Sequence, residues 1–358
     1  MSDPPQASYA AAVIRDGVPL APLTTFELGG PARHLIEATD DAAIAEALRW
    51  ARARDVPAAI LGGGSNVVVG DAGFDGLVIR VATRGRHFQP LGDGAVALTA
   101  AAGEPWDQLV AEAVARGLAG VECLSGIPGL AGATPIQNVG AYGQEVAQTI
   151  RAVRVLARDR LEITELEAAE CAFGYRDSRF KREPDRFVVL AVTFALHPAG
   201  PAVVRYPELA AALAGTPAPT LADVRAAVLA LRAKKSMVIS PGDPNRRSAG
   251  SFFMNPVVAA AEADAVAARA GVEPGAMPRF PAGVGRVKLS AGWLIERAGF
   301  PKGTRRGSVG ISTAHALALV NLGGARTEQL LELAAEIQRA VRERLGVQLV
   351  REPVFLGR

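Results

Sequence analysis

The sequence predicts a mixed α and β protein of two or three domains, with α/β units in its first part. Three observations predict this. The chain has 358 residues, more than one domain of roughly 100–200 residues. Short apolar runs alternate with amphipathic stretches between residues 39 and 117, the pattern of strand–helix units. The 38 glycines follow no G-X-Y period, which excludes collagen and leaves glycine-rich loops between regular elements. Hydrophobic residues at 49% and charged residues at 21% exclude a disordered chain and supply a core. Because aromatics are only 5%, aliphatic side chains and alanine must fill it.

Residues 1–20 read as a loose arm. Thr39-Asp40-Asp41 supplies an N-cap candidate ahead of a helix that carries Ile44, Leu48 and Ala51 on one face. VPAAIL (56–61) reads as a buried strand, GLVIRV (77–82) as a second and AVALTAAAG (95–103) as a third. Residues 105–117 form a helix with Pro105 in its first turn and Gly117 at its end. RAVRVLA (151–157) and RFVVLAVTFAL (186–196) are strands. Thr220 opens a helix, with Asp223 in a capping-box position and Leu221, Val224, Val228 and Leu231 as its apolar stripe. Further helices are expected over 257–271, over 291–299 behind Ser290, and from Thr327 to Leu345. His315 falls in an apolar, helix-like pattern, and the chain closes with an extended LVREPVFLG.

Two segments stand apart. Gly62-Gly63-Gly64-Ser65-Asn66 follows a strand. Its glycines leave backbone N–H groups unobstructed, and its hydroxyl and amide add donors, so it reads either as a phosphate cradle or as a tight turn. It does not fit the nicotinamide fingerprint G-x-G-x-x-G. Residues 123–143 are dense in glycine, carry two prolines and few charges, and allow no long helix or strand. An uncharged segment of this kind reads as backbone pressed against a ligand. Two glycine-rich loops together point to a long cofactor gripped at two places.

Three polar positions are open to a chemical and a structural reading. In the run from Tyr175 to Arg179, an arginine is suited to forking onto a carboxylate, or it pairs with Asp177 at the surface. Ser251 is a reactive hydroxyl or an N-cap of the 257–271 helix. Glu352 is a working carboxyl or a solvent-facing one.

Other classes are excluded or disfavoured. The net charge of +3 comes with no basic run, which argues against nucleic acid. Cys123 and Cys171 are too few for a disulfide framework and read as core residues. The four histidines form no ligand pair, so no metal is expected. No G-x-S-x-G elbow supports a serine hydrolase. The N-terminus is not a signal peptide and no apolar run spans a membrane, so a cytoplasmic location is expected.

Seven stretches together resemble one family, the FAD-dependent UDP-N-acetylenolpyruvoylglucosamine reductases of bacterial peptidoglycan synthesis. They are TTFELGGPA (24–32), ILGGGSN (60–66), LSGIPGLAGATPIQNVGAYGQEV (124–146), FGYRDSRFK (173–181), AGSFFMNP (249–256), KLSAGWLIERAGFPKG (288–303) and REPV (351–354). They occur in the family's order across nearly the whole chain. The resemblance implies an α+β chain with a FAD-binding fold of the p-cresol methylhydroxylase type. An arm (1–20) would precede a FAD domain at 21–198, divided near residue 82. A substrate domain would follow at 199–345, and a C-terminal segment at 346–358 would return to the site.

It further implies noncovalent FAD, with NADPH as reductant and an enolpyruvyl sugar nucleotide as substrate, and no nucleic-acid or membrane partner. The FAD contacts would be Gly62, Gly63, Gly64, Ser65, Asn66, Ser125, Gly126, Pro128, Gly129, Thr134, Gln137, Asn138, Gly140 and Ala141. Substrate contacts would be Tyr142, Tyr206, Lys235, Asn255 and Lys288. The spacing before Ser251 is longer than the family's, which leaves Lys234 as an alternative to Lys235. Tyr206 suggests the longer subclass with a tyrosine-bearing substrate loop. Arg176, Ser251 and Glu352 would be catalytic. Arg176 would stabilise charge developing on the substrate, Ser251 would protonate the α-carbon, and Glu352 would act protonated or position Arg176. The alternatives are a flavin hydroxy-acid dehydrogenase or oxidase of the same fold, and a noncatalytic FAD- or nucleotide-sugar-binding protein.

Overall fold

A computed structural model describes residues 13–198, 202 and 204–357; most of the expected arm lies outside them. Arg15–Pro19, its described end, is a strand paired antiparallel to Pro31–Ala38. It is therefore not a loose arm, because its backbone completes the edge of a sheet. That sheet runs Arg15–Pro19, Pro31–Ala38, Phe74–Val81, Ala58–Leu61, with the last three strands parallel. The helix Asp41–Ala53 makes the crossover between Pro31–Ala38 and Ala58–Leu61. Asp40 caps it by accepting the Ala43 N–H at 2.7 Å. Its buried Ile44, Leu48 and Ala51 share a core with Ile36, Leu77 and Ile79.

The second sheet is antiparallel, so α/β units describe only the first. Its strands run Glu162–Glu167, Ile150–Ala157, Phe187–Pro198, Val96–Ala101, Arg86–Pro90, and Leu118–Ala119 pairs with the end of the central strand. The helix Trp106–Ala115 packs its buried Trp106, Leu109, Val110 and Ala113 into the same core. Trp106 also anchors the glycine-rich segment at two points. Its indole N–H donates to Leu124 O at 3.2 Å and its backbone N–H to Gly129 O at 3.0 Å.

The helix Leu221–Lys234 has the expected Thr220–Asp223 capping box and packs on Trp106–Ala115. Between them, Asp107 takes a bidentate fork from Arg225 at 2.6 and 2.8 Å and the Gly126 N–H at 2.6 Å. These contacts hold its carboxyl below the ordinary range against the opposing effect of burial.

The C-terminal part has its own core, with Leu330, Leu333, Ile337 and Val341 of the helix Thr327–Leu345 facing Leu294, Ile295 and Leu319. The expected 257–271 helix starts late. Val257–Ala259 is a strand paired with Arg286–Leu289, and the helix covers only Ala260–Arg269. Pairing with Arg286–Leu289 takes up the β-branched Val257 and Val258, and the helix begins only at the alanines beyond them. The pattern around His315 is likewise not a helix but the turn between the strands Val309–Ile311 and Leu319–Asn321. Finally, Val354–Leu356 pairs in parallel with Val67–Val69, directly after the loop of residues 62–66. This pairing brings the end of the chain back to the first glycine loop. Among the described residues, no helix is long and apolar enough to cross a membrane.

Candidate active site

A single cavity of about 1200 Å³ runs along the glycine loops and reaches the C-terminal part. That exceeds the few hundred to ~1,000 Å³ usual for a small-ligand pocket.

Its floor is built by the two glycine-rich segments. Gly62, Gly63, Gly64, Ser65 and Asn66 line it, as do Pro128, Thr134, Gln137, Gly140 and Ala141. The segments touch where glycine faces glycine: a Cβ on Gly63 would sit 3.0 Å from Gly129 Cα, and one on Gly129 would sit 2.8 Å from Ser65 Oγ. Gly64 adopts φ +64° and has Leu23 and Thr24 backbone pressed against it, which only glycine tolerates. Among the described residues, none of the N–H groups of residues 62–66 donates to another backbone group. A row of free N–H groups along a large groove fits the diphosphate of a dinucleotide.

The side chains of Ser65 and Asn66 do something else. Ser65 Oγ donates to Pro128 O at 3.1 Å, and Asn66 Nδ2 donates to Gln137 Oε1 at 2.8 Å and Glu352 O at 3.5 Å. Their donors tie the two loops and the C-terminus together, which leaves their backbone to face a ligand.

Four expected cofactor residues, Ser125, Gly126, Gly129 and Asn138, lie behind the cavity wall. Ser125 is fully buried and donates to Glu122 O, while the Gly126 N–H is taken by Asp107. Gly129 backs onto Ser65, and Asn138 is 1% exposed with its amide used internally. Burial in these cases comes from packing that no local pattern announces.

Arg176, Ser251 and Glu352 all line the cavity. Arg176 adopts φ +51°, a region that non-glycine residues seldom occupy. Its Nη2 donates to Gly140 O at 2.7 Å, its Nη1 to Asn138 O at 3.4 Å, and its Nε lies 3.4 Å from Glu352 Oε1. The expected surface pair with Asp177 does not form; Asp177 pairs with Arg182 instead. Burial raises the Glu352 pKa, and the Arg176 and Lys181 cations offset that only in part.

Glu352 reaches the site because its N–H donates to Phe252 O at 2.9 Å, which sets it beside the residue after Ser251. Ser251 is not an N-cap, because the helix begins at Ala260 behind Ala259. Gly250 precedes it at φ +70°, and among the described residues its hydroxyl has no protein partner.

The far end of the cavity carries Tyr142, Tyr206 and Lys235. The tyrosine rings meet edge-on at 5.4 Å, the Lys235 ammonium lies 5.7 Å from the Tyr142 ring, and its Nζ pairs with Glu208 at 2.5 Å. Lys234 is exposed and absent from the wall, so geometry favours Lys235. Burial pushes the Tyr142 hydroxyl up to about 12, keeping it protonated.

Asn255 lines the cavity and accepts the Ala291 N–H at 2.9 Å. The Lys288 ammonium sits 4.5 Å over the Tyr175 ring, beside the cavity wall, and burial lowers its pKa with a further push from Arg176.

Among the wall residues that the sequence did not point to are Arg232, Lys181 and His315. Arg232, near the end of the helix Leu221–Lys234, donates to Met237 O at 2.7 Å and keeps a buried Nε without a partner. Lys181 donates to Arg176 O at 2.8 Å. His315 accepts the Leu317 N–H on Nδ1 at 3.3 Å, and burial with Lys235 and Lys302 pushes it down to about 4, so it stays neutral. For Lys181 and Arg232 the sequence signal is only proximity to other features: Lys181 ends FGYRDSRFK, and Arg232 lies just before Lys234 and Lys235.

A two-sheet framework with a glycine-floored groove and an arginine at its edge, met by a C-terminal core that adds a serine and a buried carboxyl, defines a dinucleotide-dependent oxidoreductase. Residues 32–160 match the FAD binding domain family, and residues 243–356 match the UDP-N-acetylenolpyruvoylglucosamine reductase C-terminal domain family. The chain is 54% identical over 350 residues to the UDP-N-acetylenolpyruvoylglucosamine reductase of Streptomyces coelicolor, covering 95% of this chain and 89% of that one. It is 51% identical over 346 residues to the Streptomyces avermitilis enzyme of the same name, covering 95% and 94%. The crystal structure of UDP-N-acetylenolpyruvylglucosamine reductase from Thermus caldophilus superposes with a TM-score of 0.64 at 28% identity, over 96% of this chain and 98% of that one. The chain belongs to the UDP-N-acetylenolpyruvoylglucosamine reductase family and is an FAD-dependent oxidoreductase.

Proposed function

We propose that this protein reduces the enolpyruvyl ether of UDP-N-acetylenolpyruvoylglucosamine to the lactyl ether of UDP-N-acetylmuramate, a step in making peptidoglycan precursors, with Arg176, Ser251 and Glu352 as its catalytic residues. The observation that carries this assignment is the placement of the Arg176 guanidinium 3.4 Å from a buried Glu352, in the cavity that Ser251 and the glycine loops line.

Bound FAD supplies the hydride, which originates from NADPH. The backbone N–H groups of residues 62–66 would hold the FAD diphosphate, with Pro128, Thr134, Gln137, Gly140 and Ala141 as the second wall. FAD would be held without a covalent bond: Cys123 is buried, and burial pushes its thiol up to about 12, far from a reactive thiolate.

Hydride arriving at the β-carbon leaves negative charge on the α-carbon and its carboxylate. Arg176 is fixed in place before that charge appears. Three of its N–H groups face Gly140 O, Asn138 O and Glu352, leaving two of the guanidinium's five donors for the substrate carboxylate. A cation held this way stabilises the developing charge without reorganisation. Glu352, its pKa raised by burial, is suited to hold a proton beside that charge instead of adding a second anion. Ser251, with its hydroxyl free, would then deliver the proton to the α-carbon. Tyr142, Tyr206 and Lys235 would meet the sugar nucleotide, with Asn255 nearby.

The test is optical. Purified protein should be yellow, should bleach on anaerobic addition of NADPH, and should recolour on addition of the enolpyruvyl sugar nucleotide with formation of UDP-N-acetylmuramate. Recolouring by a 2-hydroxy acid's oxo product, with none by the sugar nucleotide, would overturn the reading.

A further inference from the structure

We propose that Asn138 is a positioning residue that clamps Arg176 from both ends, rather than a contact of the cofactor. The inference rests on the catalytic reading of Arg176 given above.

Asn138 lies between Gln137 and Val139, which line the cavity, yet it does not line the cavity itself. It is 1% exposed. Its side chain has no donor left for a ligand. Nδ2 donates to Glu145 Oε2 at 2.8 Å and to Gly174 O at 2.9 Å, and Oδ1 accepts the Ala147 N–H at 3.0 Å. Both amide hydrogens are therefore spent on the protein.

These partners matter because of where they sit. Gly174 and Asp177 exchange backbone hydrogen bonds across the turn that holds Arg176 at φ +51°. The Asn138 amide thus grips the main chain of Arg176's turn. The Asn138 carbonyl, 3.4 Å from Arg176 Nη1, grips the guanidinium at the other end. The second guanidinium contact, Gly140 O, belongs to the small hairpin Gly140–Ala141 with Gln144–Glu145. Asn138 ties that hairpin down through Glu145. Asn138 itself adopts φ +44°, a conformation asparagine tolerates better than most residues, and its carbonyl meets the Arg176 guanidinium while its amide meets the carbonyl of Gly174 in the turn that carries the same arginine. One residue therefore sets both where Arg176 starts and where its charge ends.

The test is a double-mutant cycle read on the oxidative half-reaction, the recolouring of reduced protein by the enolpyruvyl sugar nucleotide. Asn138→Gly keeps the left-handed backbone and the carbonyl but deletes the amide. Asn138→Asp keeps the shape but sets an oxygen against Glu145 and Gly174 O. Both should retain FAD and bleach with NADPH at near the normal rate. Both should recolour about 10–100-fold more slowly, the scale of a group displaced by about an ångström. In an Arg176→Gln background, Asn138→Gly should slow recolouring by less than 2-fold further, because the group it positions is gone.

Loss of FAD from both variants would overturn the proposal in favour of a cofactor contact. Failure of both to fold would overturn it in favour of a purely structural role, and so would equal, multiplying losses in both backgrounds. If Arg176→Gln alone recolours normally, the catalytic reading of Arg176 fails, and this inference fails with it. Normal recolouring in Asn138→Gly with a slow Arg176→Gln overturns the inference alone.

Discussion

Ser251→Ala separates protonation of the substrate from everything else the site does. The substitution removes one oxygen and nothing more. That oxygen has no protein hydrogen-bond partner among the described residues, and the neighbouring helix is capped at Ala259, so no cap is lost. The stability change should stay within about 0.5 kcal/mol, the range for a position outside core, caps and buried networks. An N-cap would have cost about 0.5–2 kcal/mol. The catalytic loss should be far larger. A positioned proton donor is worth about 10²–10⁴-fold, or about 3–5 kcal/mol of barrier, and no other hydroxyl is placed by the sequence reading to replace it. Stopped-flow absorbance measures the two halves separately. Bleaching of the flavin by NADPH needs no proton at the substrate's α-carbon and should proceed at the normal rate. Recolouring by the enolpyruvyl sugar nucleotide should collapse. Thermal melting and flavin content on the same preparation control for folding. Normal recolouring, or a loss shared equally by both halves, would remove Ser251 from the proton step.

Other predictions follow from neighbouring geometry. Gly64→Ala places a Cβ against the Leu23 carbonyl and 2.7 Å from Thr24 Cα at φ +64°; the left-handed backbone alone costs about 1–2 kcal/mol, so the variant should purify with much less FAD and a lower melting temperature. Glu352 holds its proton more tightly folded than unfolded, so its contribution is present below the ordinary carboxyl value of ~4.3 and is lost as pH rises through the raised folded value. Denaturant titrations should show wild type losing stability relative to Glu352→Gln over that interval. His315 is shifted the other way, to about 4. Its neutral form stabilises the fold above the ordinary ~6.5, and wild type should lose up to about 3 kcal/mol relative to His315→Gln as pH falls from there past 4. Acid precipitation should release all the FAD into the supernatant, since the thiols of both Cys123 and Cys171 are buried with raised pKa values; yellow colour in the pellet would contradict a noncovalent cofactor.

Much of the framework was legible from sequence because its signals are local. Asp40, Thr220 and Ser290 each cap the helix they precede, since a cap needs only a short polar side chain and the N–H groups of the next turn. The periodic stripe of Thr327–Leu345 points to a buried face, and it is buried. The strands Glu162–Glu167 and Arg86–Pro90 gave no such signal. They are polar and exposed on an outer part of the sheet, and only pairing with a neighbour makes them strands. Val257–Ala259 misled for the related reason that its partner, Arg286–Leu289, lies far along the chain.

The site divides in the same way. Residue types and motif order are properties of the chain, and they sufficed to nominate Arg176, Ser251, Glu352 and the two glycine loops. Which donors those residues have left to spend is a property of packing. Ser65 and Asn66 carry the right groups for a phosphate, yet Pro128 O, Gln137 and Glu352 O have claimed them. Lys234 and Lys235 are indistinguishable as letters, but only one lies along the cavity wall. Lys288 turns onto Tyr175. Asn138 is buried with every amide donor used, although its neighbours on both sides face the cavity. A hydrogen bond forms with whichever partner the fold brings within about 3 Å, and for these residues that partner comes from a distant part of the chain, so the sequence alone could name the groups while the tertiary structure decided what each was free to do.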